Sequence, residues 1–243
     1  MNSEEKMALF YGIMLGDGCL SHYFSNGREY FTISITGHFP EDNPFYEKVL
    51  KPLLKCLGRK SVSIKRRKDC NAIEINFPDE RLFKKLNSLG FPIGKKGNKI
   101  CIPNLFFKKG LVKYVVSGYF ATDGSLVLTK NPNKFYPRIG GCGISRNLII
   151  QTTEFLKSCG LKGTKYLAKR KKKLGDFPNR KPIFRYQFNG KKNLLLFQEV
   201  IGFINPKNQE KFQRFLKYDL KYDCAIRGIS FKKQNFMRDN VKL

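Results

Sequence analysis

The chain has no tryptophan, two histidines, and 19 acidic residues against 47 basic ones in 243 positions. With His22 and His38 alone, and no CxxC pair among its seven cysteines, it has too few of the usual ligands for a zinc site. The cysteines are Cys19, Cys56, Cys70, Cys101, Cys142, Cys159 and Cys224. Their odd number argues against a closed disulfide framework. It fits free thiols in an intracellular, reducing compartment, either a prokaryotic cytoplasm or an organelle. Long apolar runs are also scarce. The most apolar stretch, 111–128, is interrupted by Lys113 and Asp123, so no membrane span is expected. The N-terminus, Met1-Asn2-Ser3-Glu4-Glu5-Lys6, lacks the basic and then apolar order of a secretory signal. Bulk that Trp would supply comes from 22 Phe and 11 Tyr, and hydrophobic residues make up 41% of the chain, enough for a core in each of two halves.

The scarcity of acid leaves a net charge of +28, unevenly spread. Residues 1–103 hold 17 basic and 11 acidic side chains, whereas residues 104–243 hold 30 and 8. Such an excess points to a polyanion, held mostly by the second half. The basic residues fall in strand-like segments, and no basic amphipathic helix of the membrane-lying kind stands out. Nucleic acid is therefore the expected partner, with no membrane role.

One stretch occurs twice. Phe10-Tyr11-Gly12-Ile13-Met14-Leu15-Gly16-Asp17-Gly18 returns 106 residues later as Val116-Ser117-Gly118-Tyr119-Phe120-Ala121-Thr122-Asp123-Gly124. Each copy reads as an apolar helix with a small residue every fourth position, stopped by Asp-Gly. Gly12 and Gly16 lie on one helical face, as do Gly118 and Thr122. Glycine inside a helix costs about 1 kcal/mol relative to alanine, so this spacing needs a reason, and close approach of a second backbone supplies one. If the two helices pack along these residues, their C-terminal ends bring Asp17 and Asp123 together. Two carboxylates at short range raise each other's pKa unless a cation lies between them. The negative ends of the two helices favour a cation further. Hard oxygen ligands suit Mg²⁺.

The segments around the repeat follow one order in both halves. In the first, a helix capped by Ser3 runs over 3–15. A hairpin follows over 19–36, turning at Asn26-Gly27. Next come a helix over 44–57, a second hairpin with strands 61–68 and 72–77, and a helix over 80–89. A linker spans 91–103. The second half predicts a helix over 105–121 and strands near 125–129 and 138–144. Gly140, Gly141 and Gly143 in the latter suggest a bulge or a close backbone approach. A helix over 148–159, strands 165–170 and 184–188, and helices 194–203 and 209–221 complete it. Residues 224–243 read as a loose basic tail. The expected class is α+β, with two pseudo-symmetric α-β-β-α-β-β-α halves divided near residue 100. Each half is an antiparallel four-stranded sheet with helices on one face and a polar face left open.

The repeated stretch resembles the LAGLIDADG motif of homing endonucleases. The resemblance extends to Ile102-Pro103-Asn104 before the second copy. It also covers two connecting segments, Leu89-Gly90-Phe91-Pro92-Ile93-Gly94-Lys95-Lys96 and Ile201-Gly202-Phe203-Ile204-Asn205-Pro206-Lys207-Asn208, so that it spans most of residues 4–222. The sixth motif position, often Asp, is Leu15 and Ala121 here; the eighth, the family's metal carboxylate, is kept as Asp17 and Asp123. The resemblance implies a monomer whose two sheets form a saddle over a long double-stranded DNA site. Asp17 and Asp123 would hold Mg²⁺, helped by the backbone carbonyls of Gly16 and Thr122, and both strands would be cut. Mn²⁺ would substitute, and Ca²⁺ would support binding without cleavage. DNA contacts are expected from Arg28, Thr32, Ser34, Lys65, Arg67, Lys68, Glu74 and Asn76 in the first half. In the second they are expected from Arg138, Arg146, Lys169, Arg170, Lys181, Arg185 and Gln187. The family's familiar Gln is missing near Gly37-His38 and Ser145-Arg146; Lys68 and Lys181 stand as candidate peripheral lysines.

Two other readings compete. An RNA maturase would use the same fold to help an intron fold, with intron RNA as partner. A non-cleaving DNA-binding regulator would more readily have lost one of the acidic residues, and both are present. Intein splicing is not expected, because no Cys or Ser begins the chain and no His-Asn ends it.

Overall fold

The computed structural model describes residues 1–130, 135–168 and 181–226, apart from the side chains of Lys68 and of residues 220–226. The first half begins with α1 (Ser3–Asp17), β1 (Gly18–Ser25) and β2 (Arg28–His38). The chain then turns through α2 (Asn43–Phe45), a π-helical turn (Tyr46–Leu50) and α3 (Lys51–Cys56). β3 (Lys65–Arg67), β4 (Ala72–Pro78) and α4 (Glu80–Ser88) close the half. The second half repeats the plan with α5 (Asn104–Lys108), α6 (Val112–Asp123), β5 (Gly124–Lys130) and β6 (Phe135–Gly143). α7 (Arg146–Ser158), β7 (Gly163–Leu167), β8 (Phe184–Asn189), α8 (Lys191–Val200) and α9 (Pro206–Ile226) follow. Two antiparallel four-stranded sheets result, ordered β1-β2-β4-β3 and β5-β6-β8-β7. This is the α+β arrangement that the alternating strands imply.

Period-two alternation builds each sheet. Ile33 and Ile35 on β2 pair across from Phe77 and Ile75 on β4, and all four side chains are buried with Ile73. Each buried aliphatic or aromatic side chain contributes about 1.5–3 kcal/mol. The β1–β2 turn is Asn26-Gly27, both in the left-handed region, as the sequence predicts. β3 is shorter than the 61–68 reading, because it pairs with β4 only over Lys65–Arg67. In β6 the pairing with β8 runs unbroken from Arg138 to Gly143, so its glycines form no bulge there. They serve close approach instead: a Cβ on Gly141 would lie 2.6 Å from the Tyr186 hydroxyl oxygen.

Several helices differ from the sequence reading: α8 runs over Lys191–Val200 rather than 194–203, and the single helix expected over 44–57 is interrupted by the π-helical turn. Asn2, not Ser3, caps α1: its side chain accepts from the Glu5 N–H while Glu5 reaches back to the Asn2 N–H, a reciprocal capping box. The single helix expected over 105–121 is two, broken at Gly110, whose φ of 66° no regular helix accommodates. α9 starts at Pro206, behind Asn205, and runs through Ile226, so 224–226 belong to a helix rather than a tail; 227–243 lie outside the described residues.

The two halves meet along α1 and α6. The contact is as intimate as the small-residue spacing suggests. A Cβ on Gly12 would overlap the Val115 carbonyl oxygen, one on Gly118 the Leu9 carbonyl oxygen, and one on Gly16 the Thr122 hydroxyl. The connections after α4 and after α8 are each pinned by a buried phenylalanine. Phe91 sits edge-on to Tyr11 at 5.9 Å, and Phe203 lies 5.7 Å from Phe120 and 5.1 Å from Phe197. No helix among the described residues is long and apolar enough to cross a membrane.

Candidate nuclease site

Because α1 and α6 cross on glycine, their last residues are held side by side. A Cβ on Gly16 would lie 3.4 Å from the Asp123 carboxyl carbon, which places Asp123 next to the backbone that carries Asp17. Each carboxyl is followed by a glycine that leaves the helix directly into a strand, so β1 and β5 both start at the site. Desolvation, then Asp123 and then Asp42 raise the Asp17 carboxyl to about 7, against the opposing pull of Lys96 and Lys207. Asp123 stands at the solvent-facing rim, yet the protein packed around it raises its pKa too, with Lys96 pulling down.

The cation nearest the helix ends is Lys96, which the sequence reading did not single out. Gly94 N–H donates to the Leu20 carbonyl at 2.7 Å, and Leu20 and Ile93 form a parallel bridge. These contacts bring the linker across the end of α1. The Lys96 ammonium then donates to the carbonyls of Met14 (3.2 Å), Leu15 (3.1 Å) and Gly16. Burial lowers the Lys96 pKa, while Asp123 and Asp17 hold it up. Lys207, from the matching connection in the second half, pairs at 2.6 Å with Asp42. Their only sequence signal was the repeated Gly-Phe segment with a lysine four or five residues beyond the Phe.

Among the described residues there is no cluster of three or more His, Cys, Asp or Glu side chains able to hold a metal. A metal here would rest on Asp17, Asp123, backbone carbonyls and water, a set that suits a hard ion such as Mg²⁺. The ammonium already lodged among the α1 carbonyls shows that this corner is built for positive charge. It also occupies Gly16 oxygen, one of the carbonyls assigned to the metal from sequence.

The open sheet faces lead away from the carboxylates. On the first, Ser34 pairs with Asn76, Thr36 with Glu74, and Glu74 with Lys65, placing the expected residues in two adjoining rows. Arg28 is exposed at the hairpin end, and Arg67 is exposed beside Asp69. Thr32 is on this face but only 8% exposed, between Ser21 and Pro78, so its hydroxyl has little to offer a ligand. On the second, a cleft of about 340 Å³ runs from Asp123 over Ser125, Arg138, Tyr166, Arg185 and Gln187. Arg138 is steadied by Thr129 at 2.9 Å. Arg146 is not on a strand: it opens α7 and lines a separate hollow with Asn98 and Lys181. Lys181 lies against the turn at Gly97. Lys169, Arg170 and the Lys68 side chain lie outside the described residues.

The arrangement has solved counterparts. A structure of I-DmoI with nicked target DNA and manganese aligns with a TM-score of 0.58 and 14% identity, covering 83% of this chain and 97% of that one. The LAGLIDADG meganuclease I-AabMI bound to uncleaved DNA aligns at 0.54 and 12%, covering 93% and 94%. I-SmaMI bound to an uncleaved DNA target with calcium ions aligns at 0.53 and 11%, covering 91% and 92%. The fold is that of the LAGLIDADG homing endonucleases. No protein-family model matches the chain. In sequence it is 26% identical over 241 residues to the probable translation initiation factor IF-2 of Methanocaldococcus jannaschii, and that match spans 94% of this chain but 18% of that protein. In LAGLIDADG terms, α1 and α6 are the two motif helices, and Asp123 at the end of α6 lines the cleft on the second sheet.

Proposed function

We propose that the chain is a site-specific double-stranded DNA endonuclease, active as a monomer with halves divided near residue 100, in an intracellular, reducing compartment. The observation that carries this is the pair Asp17 and Asp123, fixed at the crossing of two glycine-packed helices from which β1 and β5, the first strands of the two sheets, both lead away. The solved counterparts support it, being described as complexes with target DNA and with Mn or Ca ions. When bound, Mg²⁺ or Mn²⁺ would activate water and stabilise the leaving oxygen at the scissile phosphates. The chain's own side chains do the rest. Asp17 and Asp123 would hold the cation, and the Lys96 ammonium offsets their repulsion. Arg138, Arg185 and Lys65 hold phosphates, while Ser34, Asn76 and Gln187 face base edges from strands that a major groove admits.

The test is cleavage of a randomised double-stranded DNA library with Mg²⁺, against Ca²⁺ and EDTA, followed by sequencing of the cut ends. Cuts at one long site that need Mg²⁺ are expected. Asp17→Asn and Asp123→Asn should each keep DNA affinity and lose at least about a hundredfold in double-strand cleavage. Undiminished cutting by either variant overturns the assignment. Binding without cutting in any metal would shift the reading to an RNA maturase, to be tried on intron RNA.

A further inference from the structure

β1 and β2 pair in the same register as β5 and β6, so the outer ends of the two open faces can be compared position by position. Tyr23 pairs with Tyr30 on the first sheet, and Thr129 with Tyr136 at the matching place on the second. One step closer to the carboxylates on the same face, Thr32 on the first sheet matches Arg138 on the second. On the second sheet the Arg138 guanidinium donates to the Thr129 hydroxyl at 2.9 Å, so a cation stands at this end of the face. On the first sheet these positions hold no cation. Instead the rings of Tyr23 and Tyr30 stack, with centroids 5.4 Å apart and planes 15° apart. Tyr23 remains 47% exposed. The hairpin is already clamped on its other face, where His22 stacks on Phe31 at 4.7 Å and pairs with Glu29. The exposed stack is therefore surplus to holding the two strands together.

We propose, on the endonuclease reading above, that the Tyr23–Tyr30 stack is a specificity determinant that reads thymine by its 5-methyl group near the outer end of the half-site bound by the first sheet. In the major groove the methyl marks thymine, and apolar contact is how it is read. Two rings standing on a strand ribbon supply such a surface without charge. Tyr23 lies six residues beyond Asp17, about 20 Å of strand, which places the contact up to about six base pairs outward from the carboxylates.

The experiment measures affinity in Ca²⁺ for the duplex recovered from the library, with each thymine replaced in turn by deoxyuridine, which lacks only the methyl. The wild-type chain should lose about fourfold at one thymine near the outer end of one half-site. Tyr23→Thr installs the residue that the second sheet carries at this register. It should bind the thymine duplex about fourfold more weakly and lose nothing further on deoxyuridine, with the salt slope and the cleavage rate at saturation unchanged. Tyr23→Phe should behave as the wild type, because the ring and not the hydroxyl makes the contact. Tyr30→Thr repeats the test on the other ring if Tyr23→Thr fails to fold. A stack that only braces the hairpin would lower the melting temperature of Tyr23→Thr and leave the deoxyuridine effect in place. That result, or a recovered site with no thymine near either outer end, would overturn the inference and leave the endonuclease reading intact. Failure of the wild-type chain to cut any duplex would overturn both.

Discussion

Asp17 has a carboxyl shifted to about 7 by desolvation and by Asp123 and Asp42, and this has a consequence for stability. A carboxyl whose folded pKa lies above its unfolded value of about 3.9 contributes stability below pH 4, and that contribution is lost as pH rises through 7. In metal-free solution the wild-type chain should therefore weaken between pH 4 and pH 8, by roughly 4 kcal/mol at most. Asp17→Asn should weaken less, because only Asp123, whose carboxyl pKa burial also raises, remains. Urea denaturation of both in EDTA checks this: the variant is expected to be the more stable at pH 8, with the gap closing near pH 4. Added Mg²⁺ at pH 8 should restore the wild type and leave the variant unmoved. Parallel pH profiles would refute the burial argument. At this scale the two carboxylates were legible in the sequence, because each ends a repeated helix and its position follows from helix geometry alone. Lys96, Lys207 and Asp42 were not. Their side chains reach the site from connections whose path is set by tertiary contacts, such as Gly94 to Leu20 and Phe91 under Tyr11. Thr32 sits on the face that alternation assigns it, but no periodicity reveals that its neighbours cover it.

The helix pair α1 and α6 joins the halves, and its stability rests on missing side chains. A methyl group at position 12 or 118 would have to displace backbone carbonyls rather than a flexible side-chain tip. Gly12→Ala and Gly118→Ala should each cost about 3 kcal/mol or more, even though alanine favours a helix by about 1 kcal/mol. Gly27→Asn, in a turn with no atom within 4 Å of an added Cβ and a φ that asparagine tolerates, should be nearly neutral. Thermal melts of the three variants decide it; equal shifts at positions 12 and 27 would mean that the helices can separate without penalty. The strands and most helices were readable, because alternation and small-residue spacing record which face is buried. The errors came where a local signal met a competing one. Ser3 is an acceptable cap, but Asn2 with Glu5 completes a box. The apolar pattern of 105–121 is continuous, but Gly110 breaks the backbone.

Across the molecule, charge is divided by face. Helical glutamates pair with lysines along the outer surface: Glu47 with Lys51, Glu80 with Lys84, and Glu154 with Lys165 of β7. The open sheet faces carry Lys65, Arg138 and Arg185 with little acid beside them, Glu74 being opposite Lys65. If the sheets hold DNA, only the second group should enter the counterion balance. Each phosphate contact contributes about −0.9 to the slope of log K against log salt, and a protein making six to ten loses about 10³–10⁵ in affinity between 50 and 200 mM. A long site spanning both sheets requires a slope in that range. Arg138→Ala with Arg185→Ala should reduce the magnitude of the slope by about 1 to 2 and weaken binding to any duplex. Lys51→Ala with Lys84→Ala should leave the slope unchanged, although the net charge falls equally. Fluorescence anisotropy over a salt series separates the outcomes. Equal effects from both pairs would mean that DNA feels the overall charge of the chain and not a built face, and the saddle would lose its electrostatic support.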